Sequence, residues 1–378
     1  MTKVLFITHI NEMAGANRSM FQLIKELKDN YHVEPVVMVP ETGDEKVSIQ
    51  EALKKFGIPV ISADIRFFKR EHPTLRNIIG YARYLWRQRH LYKQLLPYHF
   101  DIIHSNSSVI DIGGYLSKQL KIKHVWHLRE FGEEDYSLKP IAGKWYERYT
   151  YRHADAFIAI SKIIAEYYKG IINPKKIRTI YNGVYHNEET PISQHKSEVI
   201  QFFCAGVLCE GKNQKELVLA LDELVNYRNI RNLHLTLVGI PTKPYVNELN
   251  TLIKEKNLNE YIDILPEVDG IQSLASKMDV GIVPSKAEAF GRVTIEYQLQ
   301  NLLVIANDAG ANPELIEDNV TGVLYKTGKV HELADKMQWA IEHPLHLRKV
   351  SLQGREHARQ FYTSKRNTRE IYNLYQIL

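Results

Sequence analysis

Pro284-Ser285-Lys286-Ala287-Glu288-Ala289-Phe290-Gly291-Arg292-Val293-Thr294-Ile295-Glu296 is the stretch on which the reading of this chain turns. It follows Asp279-Val280-Gly281-Ile282-Val283, an apolar run ended by Pro284 that suits a buried strand. Beyond it, Val293, Ile295, Leu299, Leu302 and Leu303 recur at helical spacing, and Gly291 sits where that helix should begin. The segment therefore reads as strand, polar loop, helix. In an open parallel sheet, ligands bind beyond the carboxyl ends of the strands, and a helix start there presents unpaired N–H groups to an anion. Glu288 should lie in the loop, and Glu296 about five residues into the helix, near 7 Å along its axis at roughly 1.5 Å per residue. A carboxylate beside a phosphate repels it, so the plausible work of the two glutamates is to accept hydrogen bonds from hydroxyls, as a carboxylate does for a ribose in dinucleotide folds. The plainer alternative is a pair of solvated surface charges.

Length and composition set the class. A chain of 378 residues is long enough for two domains with their own cores, and 44% hydrophobic with 25% charged residues is ordinary for a globular protein. A net charge of +5 is too small to argue for nucleic acid. The two cysteines, Cys204 and Cys209, match no zinc spacing, so no metal is expected and a reduced, cytoplasmic setting is the default. Met1 to Thr8 reads as a strand and not a signal peptide, and no apolar run approaches the roughly 18 residues of a membrane span.

From the amino terminus, Lys3 to Thr8 reads as a buried strand, followed by a loop through Ala14-Gly15-Ala16-Asn17, a helix with Met20, Phe21, Leu23, Ile24 and Leu27 inward, and a strand from Val33 to Val39. Strand, glycine loop, helix, strand is a βαβ unit with a right-handed parallel crossover. Further strands are expected at 101–104, 124–130, 155–161 and 177–180, with Ser161 capping the helix from Lys162. Residues 65–100 are lopsided: Arg66, Lys69, Arg70, Arg76, Arg83, Arg87, Arg89 and Lys93 face one acid, Glu71, with aromatics between them. Such a helix either rests on an anionic membrane surface or packs its aromatics inward while its charges are solvated. The polar segment from His186 to Ser197 reads as a linker. A second series of strands and helices starts at Val199, the first strand entering Gly206-Val207-Leu208-Cys209-Glu210-Gly211-Lys212-Asn213.

Glu288 and Glu296 with Phe290-Gly291 between them resemble the signature of the retaining glycosyltransferases of family 4, and the likeness runs along essentially the whole chain. It implies an α/β GT-B fold: two doubly wound Rossmann-like domains facing each other across a cleft. Residues 1–186 would form the acceptor-side domain, with the helix of about 362–378 crossing back to it, and 187–361 the nucleotide-sugar domain. Asp101 to His104 looks like the family's edge strand, and Asn182-Gly183-Val184 like its Asn-Gly-Val turn. Gly15 stands in the family's glycine-rich first turn, where Ala14 replaces a common second glycine. Gly206 and Lys212 fall on the donor-phosphate loop, in which Val207 occupies the place of an arginine; Arg292 or Lys286 are the cations nearest to substitute. The resemblance implies Lys212 and the start of the helix at Gly291 and Arg292 on the diphosphate, Glu296 on the ribose, Glu288 and His127 on the sugar, with Asn17 and Arg129 toward the acceptor. It implies a nucleotide-diphosphate sugar as co-substrate, with a UDP-sugar favoured, and no cofactor or metal. The acceptor would be a glycan or lipid-linked glycan of a bacterial envelope or capsule, handled on the cytoplasmic side with peripheral membrane contact through residues 65–100. A GT-B epimerase, a phosphorylase and a non-catalytic binding subunit are the alternatives.

Overall fold

The computed structural model describes residues 1–41, 48–133, 137–189, 191–194, 198–268 and 271–378. Thr190 and residues 195–197, in the segment read as a linker, lie outside the described residues. The chain divides into two compact units, one of Met1–Gly183 with Ser364–Leu378 and one of Val184–Thr363.

The first unit contains strands β1 (Lys3–Ile7), β2 (Glu34–Pro40), β3 (Val60–Ala63), β4 (Lys69–Arg70), β5 (Ile102–Ser105), β6 (Lys123–Leu128), β7 (Lys139–Pro140), β8 (Ala156–Ala159) and β9 (Ile177–Thr179). Seven of them form a sheet in the order β3-β2-β1-β5-β6-β8-β9, and β4 with β7 makes a separate antiparallel ribbon. Every pairing in the large sheet is parallel. Val4, Leu5, Phe6 and Ile7 are all buried, as expected for a parallel strand covered on both faces. The expectation that 101–104 is an edge strand is corrected here. β5 pairs with β1 on one side and β6 on the other, and its Ile102, Ile103, His104 and Ser105 are all buried. The helix Gly15–Tyr31 lays Met20, Leu23, Ile24 and Leu27 on this core, together with Ile371, Leu374 and Tyr375 of the helix Ser364–Gln376. Ser161 caps the helix Lys162–Lys169 by accepting the N–H of Ile164 at 3.3 Å.

The second unit holds β10 (Ile200–Ala205), β11 (Leu233–Val238), β12 (Ile262–Leu265), β13 (Val280–Val283), β14 (Leu303–Asn307) and β15 (Val323–Tyr325), in the order β12-β11-β10-β13-β14-β15. All its pairings are parallel too. In each unit the chain order reverses beside the first strand: between β1 and β5, and between β10 and β13. At such a point the loops leaving two neighbouring strands turn opposite ways and open a crevice at the carboxyl edge. Both units are therefore Rossmann-like, which is the GT-B pair of domains.

One close contact fixes the helix after β13. Tyr297, in the helix Arg292–Leu299, lies over Gly281 of β13, and its hydroxyl accepts the N–H of Ala205 at 2.6 Å. A Cβ at position 281 would stand 2.1 Å from Tyr297 Cδ2. We expect Gly281→Ala to destabilise the protein by about 1–3 kcal/mol through overpacking, read as a lower urea midpoint at unchanged m-value; an unchanged midpoint would mean that Tyr297 moves aside without penalty.

Candidate functional site

In the second unit, the loops leaving β10 and β13 meet. The β10 loop turns at Gly206 (φ 146) and runs through a short 3-10 turn, Glu210–Lys212, ended by Asn213 in the left-handed region (φ 58). The two loops are stitched together: the Lys286 N–H donates to the Gly211 carbonyl at 3.0 Å, and Lys286 Nζ reaches Glu210 Oε1 at 3.0 Å. At their centre the Lys212 ammonium forms an ion pair with the Glu288 carboxylate. The lysine side chain is 34% exposed and the glutamate 14%, so a solute can reach this pair. Lys212 and the 284–296 stretch, which the resemblance assigned to one diphosphate, are in direct contact through this pair.

Glu288 is held by its backbone. Gly310 (φ 60) comes so near that a Cβ there would sit 2.5 Å from both N and O of Glu288, and the Ala311 N–H donates to the Glu288 carbonyl at 2.8 Å. Gly291 (φ 80, ψ 51) starts the helix Arg292–Leu299 in a left-handed conformation that favours glycine. Asn307 Nδ2 donates to the Pro284 and Ser285 carbonyls at 3.0 and 2.9 Å, and Asn312 Oδ1 accepts from Thr294 Oγ1 at 3.1 Å, fixing the loop from behind. Arg292 Nε meets Glu296 Oε1 at 2.7 Å, one helical turn apart. Phe290 is buried, edge-on to Tyr362 with ring centroids 6.2 Å apart, so its side chain anchors the loop from inside. Val207 is 43% exposed, an apolar side chain standing at the open edge of β10.

In the first unit, the carboxyl ends of β1, β5 and β6 carry a connected polar web. Gly15 opens its helix with nothing within 4 Å of where a Cβ would be. Asn17 is fully buried and shapes the loop before it: Nδ2 donates to the carbonyls of Ile10 (3.0 Å) and Glu12 (2.7 Å), and Oδ1 accepts from Thr8 Oγ1. That work is internal, which departs from the acceptor-side role expected of it. Arg129, just past β6, donates from Nε to Asn106 Oδ1 at 2.6 Å and from Nη1 to Asn182 Oδ1 at 2.7 Å. Glu130 Oε1 accepts from Ser107 Oγ (2.6 Å), the Ser108 N–H (2.6 Å) and Ser108 Oγ (2.9 Å).

His127 lies near the carboxyl end of β6 and is 0% exposed. A guanidinium can only donate, so the contact of Arg129 Nη2 with His127 Nδ1 at 3.3 Å assigns the imidazole proton to Nε2. His104 Nε2 then donates to the same Nδ1 across 3.0 Å, leaving His104 Nδ1 to accept from the Tyr375 hydroxyl at 2.6 Å. His127 Nε2 is buried and has no hydrogen-bond partner among the described residues. Burial, with Arg129 second, holds both histidines well below their ordinary pKa, so both are neutral.

Sequence reading missed Asn106, the two serines and Tyr375 as members of this web. The first three follow directly on β5, so a polar run immediately after a buried strand was the available signal. Tyr375 carried none, being 271 residues from His104.

Comparison with known proteins agrees with this geometry. Residues 186–357 match the family model described as Glycosyl transferases group 1, and residues 13–188 match Glycosyltransferase Family 4. The chain is 26% identical to the uncharacterized glycosyltransferase MJ1178 of Methanocaldococcus jannaschii, over 72% of this chain and 75% of that protein. It is 22% identical to the UDP-Gal:alpha-D-GlcNAc-diphosphoundecaprenol alpha-1,3-galactosyltransferase of Escherichia coli, over 86% of this chain and 84% of the relative. Its fold is similar to that of Anabaena Alr3699/HepE, crystallised in complex with UDP, with a TM-score of 0.81 at 21% identity over 100% of both chains.

The buried histidines dictate how the protein answers to acid. Folded, His104 and His127 stay neutral far below 6.5, and burial takes His124 down to about 3. Unfolded, all three take up protons as pH falls through 6.5, so the unfolded state binds more protons and stability is lost on the acid side of that value. Urea unfolding followed downward from about pH 7.5 should show stability falling below about pH 6.5, by up to about 1.4 kcal/mol per pH unit for each such histidine. A flat profile would show that these imidazoles charge without unfolding.

Proposed function

Because this chain belongs to the family 4 glycosyltransferases of the GT-B fold, we propose that it moves a sugar from a UDP-sugar to a hydroxyl of a glycan or lipid-linked glycan, with retention at the anomeric carbon and without a metal. The Lys212–Glu288 pair at the strand-order reversal of the second unit carries the reading. It joins a cation suited to a diphosphate with a carboxylate suited to sugar hydroxyls. Each satisfies the other while the site is free of substrate. An arriving donor replaces that contact by two: the ammonium turns to the diphosphate, and Glu288 accepts from the sugar. The start of the helix Arg292–Leu299 adds the positive end of its dipole near the same loop. Glu296, paired with Arg292, is assigned to the ribose hydroxyls, and Arg292 supplies the cation that Val207 lacks.

The barrier in such a transfer is the charge that gathers on the departing diphosphate, and preorganised cations and dipoles lower it most. With the leaving group held in this way, the bond from the anomeric carbon to the diphosphate oxygen breaks, the acceptor hydroxyl bonds to that carbon from the face being vacated, and its proton passes to the departing diphosphate oxygen, which keeps the configuration. The first unit handles the acceptor. There His127 is a positioning residue: fully buried, it holds Arg129 at the carboxyl edge of β6, and Arg129 is the group we assign toward the substrate. Support for UDP comes from the names of the Escherichia coli relative and the Anabaena complex.

Val207, exposed where the family places an arginine, favours one rival reading, a subunit that binds sugar nucleotides or glycans without turning them over. The two part on one comparison. UDP should raise the melting temperature of the parent protein, and Lys212→Ala should cut kcat by about 10²–10³-fold, equivalent to about 3–4 kcal/mol at the transition state. Turnover that survives Lys212→Ala unchanged would sink the catalytic assignment, and UDP binding without turnover of any UDP-sugar would favour the rival.

A further inference from the structure

Two side chains at the carboxyl edge of the first sheet keep an open valence. His9 leaves β1 and Glu130 leaves β6, the strands on either side of β5, each two residues past the end of its strand. All the hydrogen bonds to the Glu130 side chain fall on one oxygen: Oε1 accepts from Ser107 Oγ, the Ser108 N–H and Ser108 Oγ. Oε2 accepts none among the described residues and is not sealed from solvent. His9 likewise makes no hydrogen bond among the described residues; its Nδ1 is buried, whereas Nε2 is not. A buried N–H without a partner is rarer and costlier than a buried lone pair, so the imidazole proton belongs on Nε2. Burial lowers the pKa of this imidazole below its ordinary value, the Glu130 carboxylate raises it, and the Arg129 guanidinium lowers it again. His9 is therefore a neutral donor at neutral pH.

The carboxylate lies near enough to act on the ring, yet the two form no ion pair with each other. One is an acceptor and the other a donor, so a third group that donates and accepts at once would join them. A hydroxyl does both. A phosphate offers Oε2 no proton and would meet a like charge there, so the pair selects against it. Phe67 flanks His9 with ring centroids 5.8 Å apart at 49°, setting an apolar face beside the polar pair. Few polar groups against an apolar wall are what orients a sugar ring, which carries hydroxyls on its rim and C–H groups on its faces.

We propose that His9 and Glu130 are specificity-determining residues that fix the acceptor sugar by one uncharged ring hydroxyl, which donates to Glu130 Oε2 and accepts from His9 Nε2. No proton changes hands in this contact. The hydroxyl so held is a neighbour of the one that attacks, and the pair thereby sets which sugar is accepted. This deepens the glycosyl-transfer reading and rests on it.

Glu130→Gln is the sharpest variant. Its amide oxygen can keep the contacts with Ser107 and Ser108, which puts an NH2 where Oε2 was and turns an acceptor into a donor. His9→Phe keeps a ring against Phe67 and removes the donor. Methyl α-D-glucopyranoside, methyl α-D-galactopyranoside and methyl N-acetyl-α-D-glucosaminide are the probes, titrated into the full chain with UDP present and followed by saturation-transfer NMR. At least one should bind the parent, and each substitution should weaken it about tenfold. Both residues act on one hydroxyl, so the double variant should fall well short of the roughly hundredfold loss that independent sites would give. A UDP-induced rise in melting temperature like the parent's shows that a variant is folded with its donor site intact. Parent affinity in either variant, losses that simply multiply, or a parent that binds none of the glycosides would overturn the proposal. Glycoside binding with these losses but no UDP shift in the parent would leave the subsite standing and count against the donor reading.

Discussion

Parallel pairing of β10 with β13 is the constraint from which the catalytic reading descends. Phe202 lies opposite Val280 and Phe203 opposite Gly281, so both strands run the same way and leave the sheet at one edge. The loops that follow have no choice but to lie side by side. Their mutual hydrogen bonds through Gly211, Glu210 and Lys286 then set Lys212 against Glu288. Gly281 lets Tyr297 come down onto the sheet and tie the end of β10 to the next helix. A slip of one residue in that register would exchange the side chains packed on the two covered faces and part the ammonium from the carboxylate.

The first unit solves a different problem at the same place in its own sheet. Where the second unit leaves an ion pair within reach of solvent, the first packs its polar groups tightly and gives them partners. Arg129 is fixed by two asparagines and a histidine, and Glu130 by two serines. Satisfying a buried guanidinium and carboxylate this way matters because either one alone in a low-dielectric setting costs several kcal/mol. The result is rigidity at the edge where an acceptor would arrive, with imidazoles kept neutral by burial beneath it.

How much of this was legible in the sequence depended on the range of the interaction. Gly291 as a helix start and Ser161 as a cap followed from spacing, because local backbone chemistry and strand–loop–helix order set them, whereas the contact of Lys212 with Glu288, 76 residues apart, came only with the fold. β3 escaped notice: four residues, mostly half-exposed, give no apolar run to read. β5 was misplaced at an edge because sheet order is decided by crossovers and not by composition. His127 was read as lying at a strand end; it is the fifth of six strand residues, one position inside that end, where its side chain is fully buried. Asn17 was read as part of a loop and a candidate on the acceptor side, and only the fold reveals that its amide donates to the carbonyls of Ile10 and Glu12.

The helix Ser364–Gln376 belongs to the first unit although the whole second unit precedes it in the chain. Ile371, Leu374 and Tyr375 fill one side of that unit's core, and the Tyr375 hydroxyl completes the chain of imidazoles. On the ribosome, the amino-terminal sheet therefore waits with an uncovered apolar flank while some 180 intervening residues are made. Synthesis order and folding order are uncoupled in this protein, and the half that emerges first is the half that finishes last.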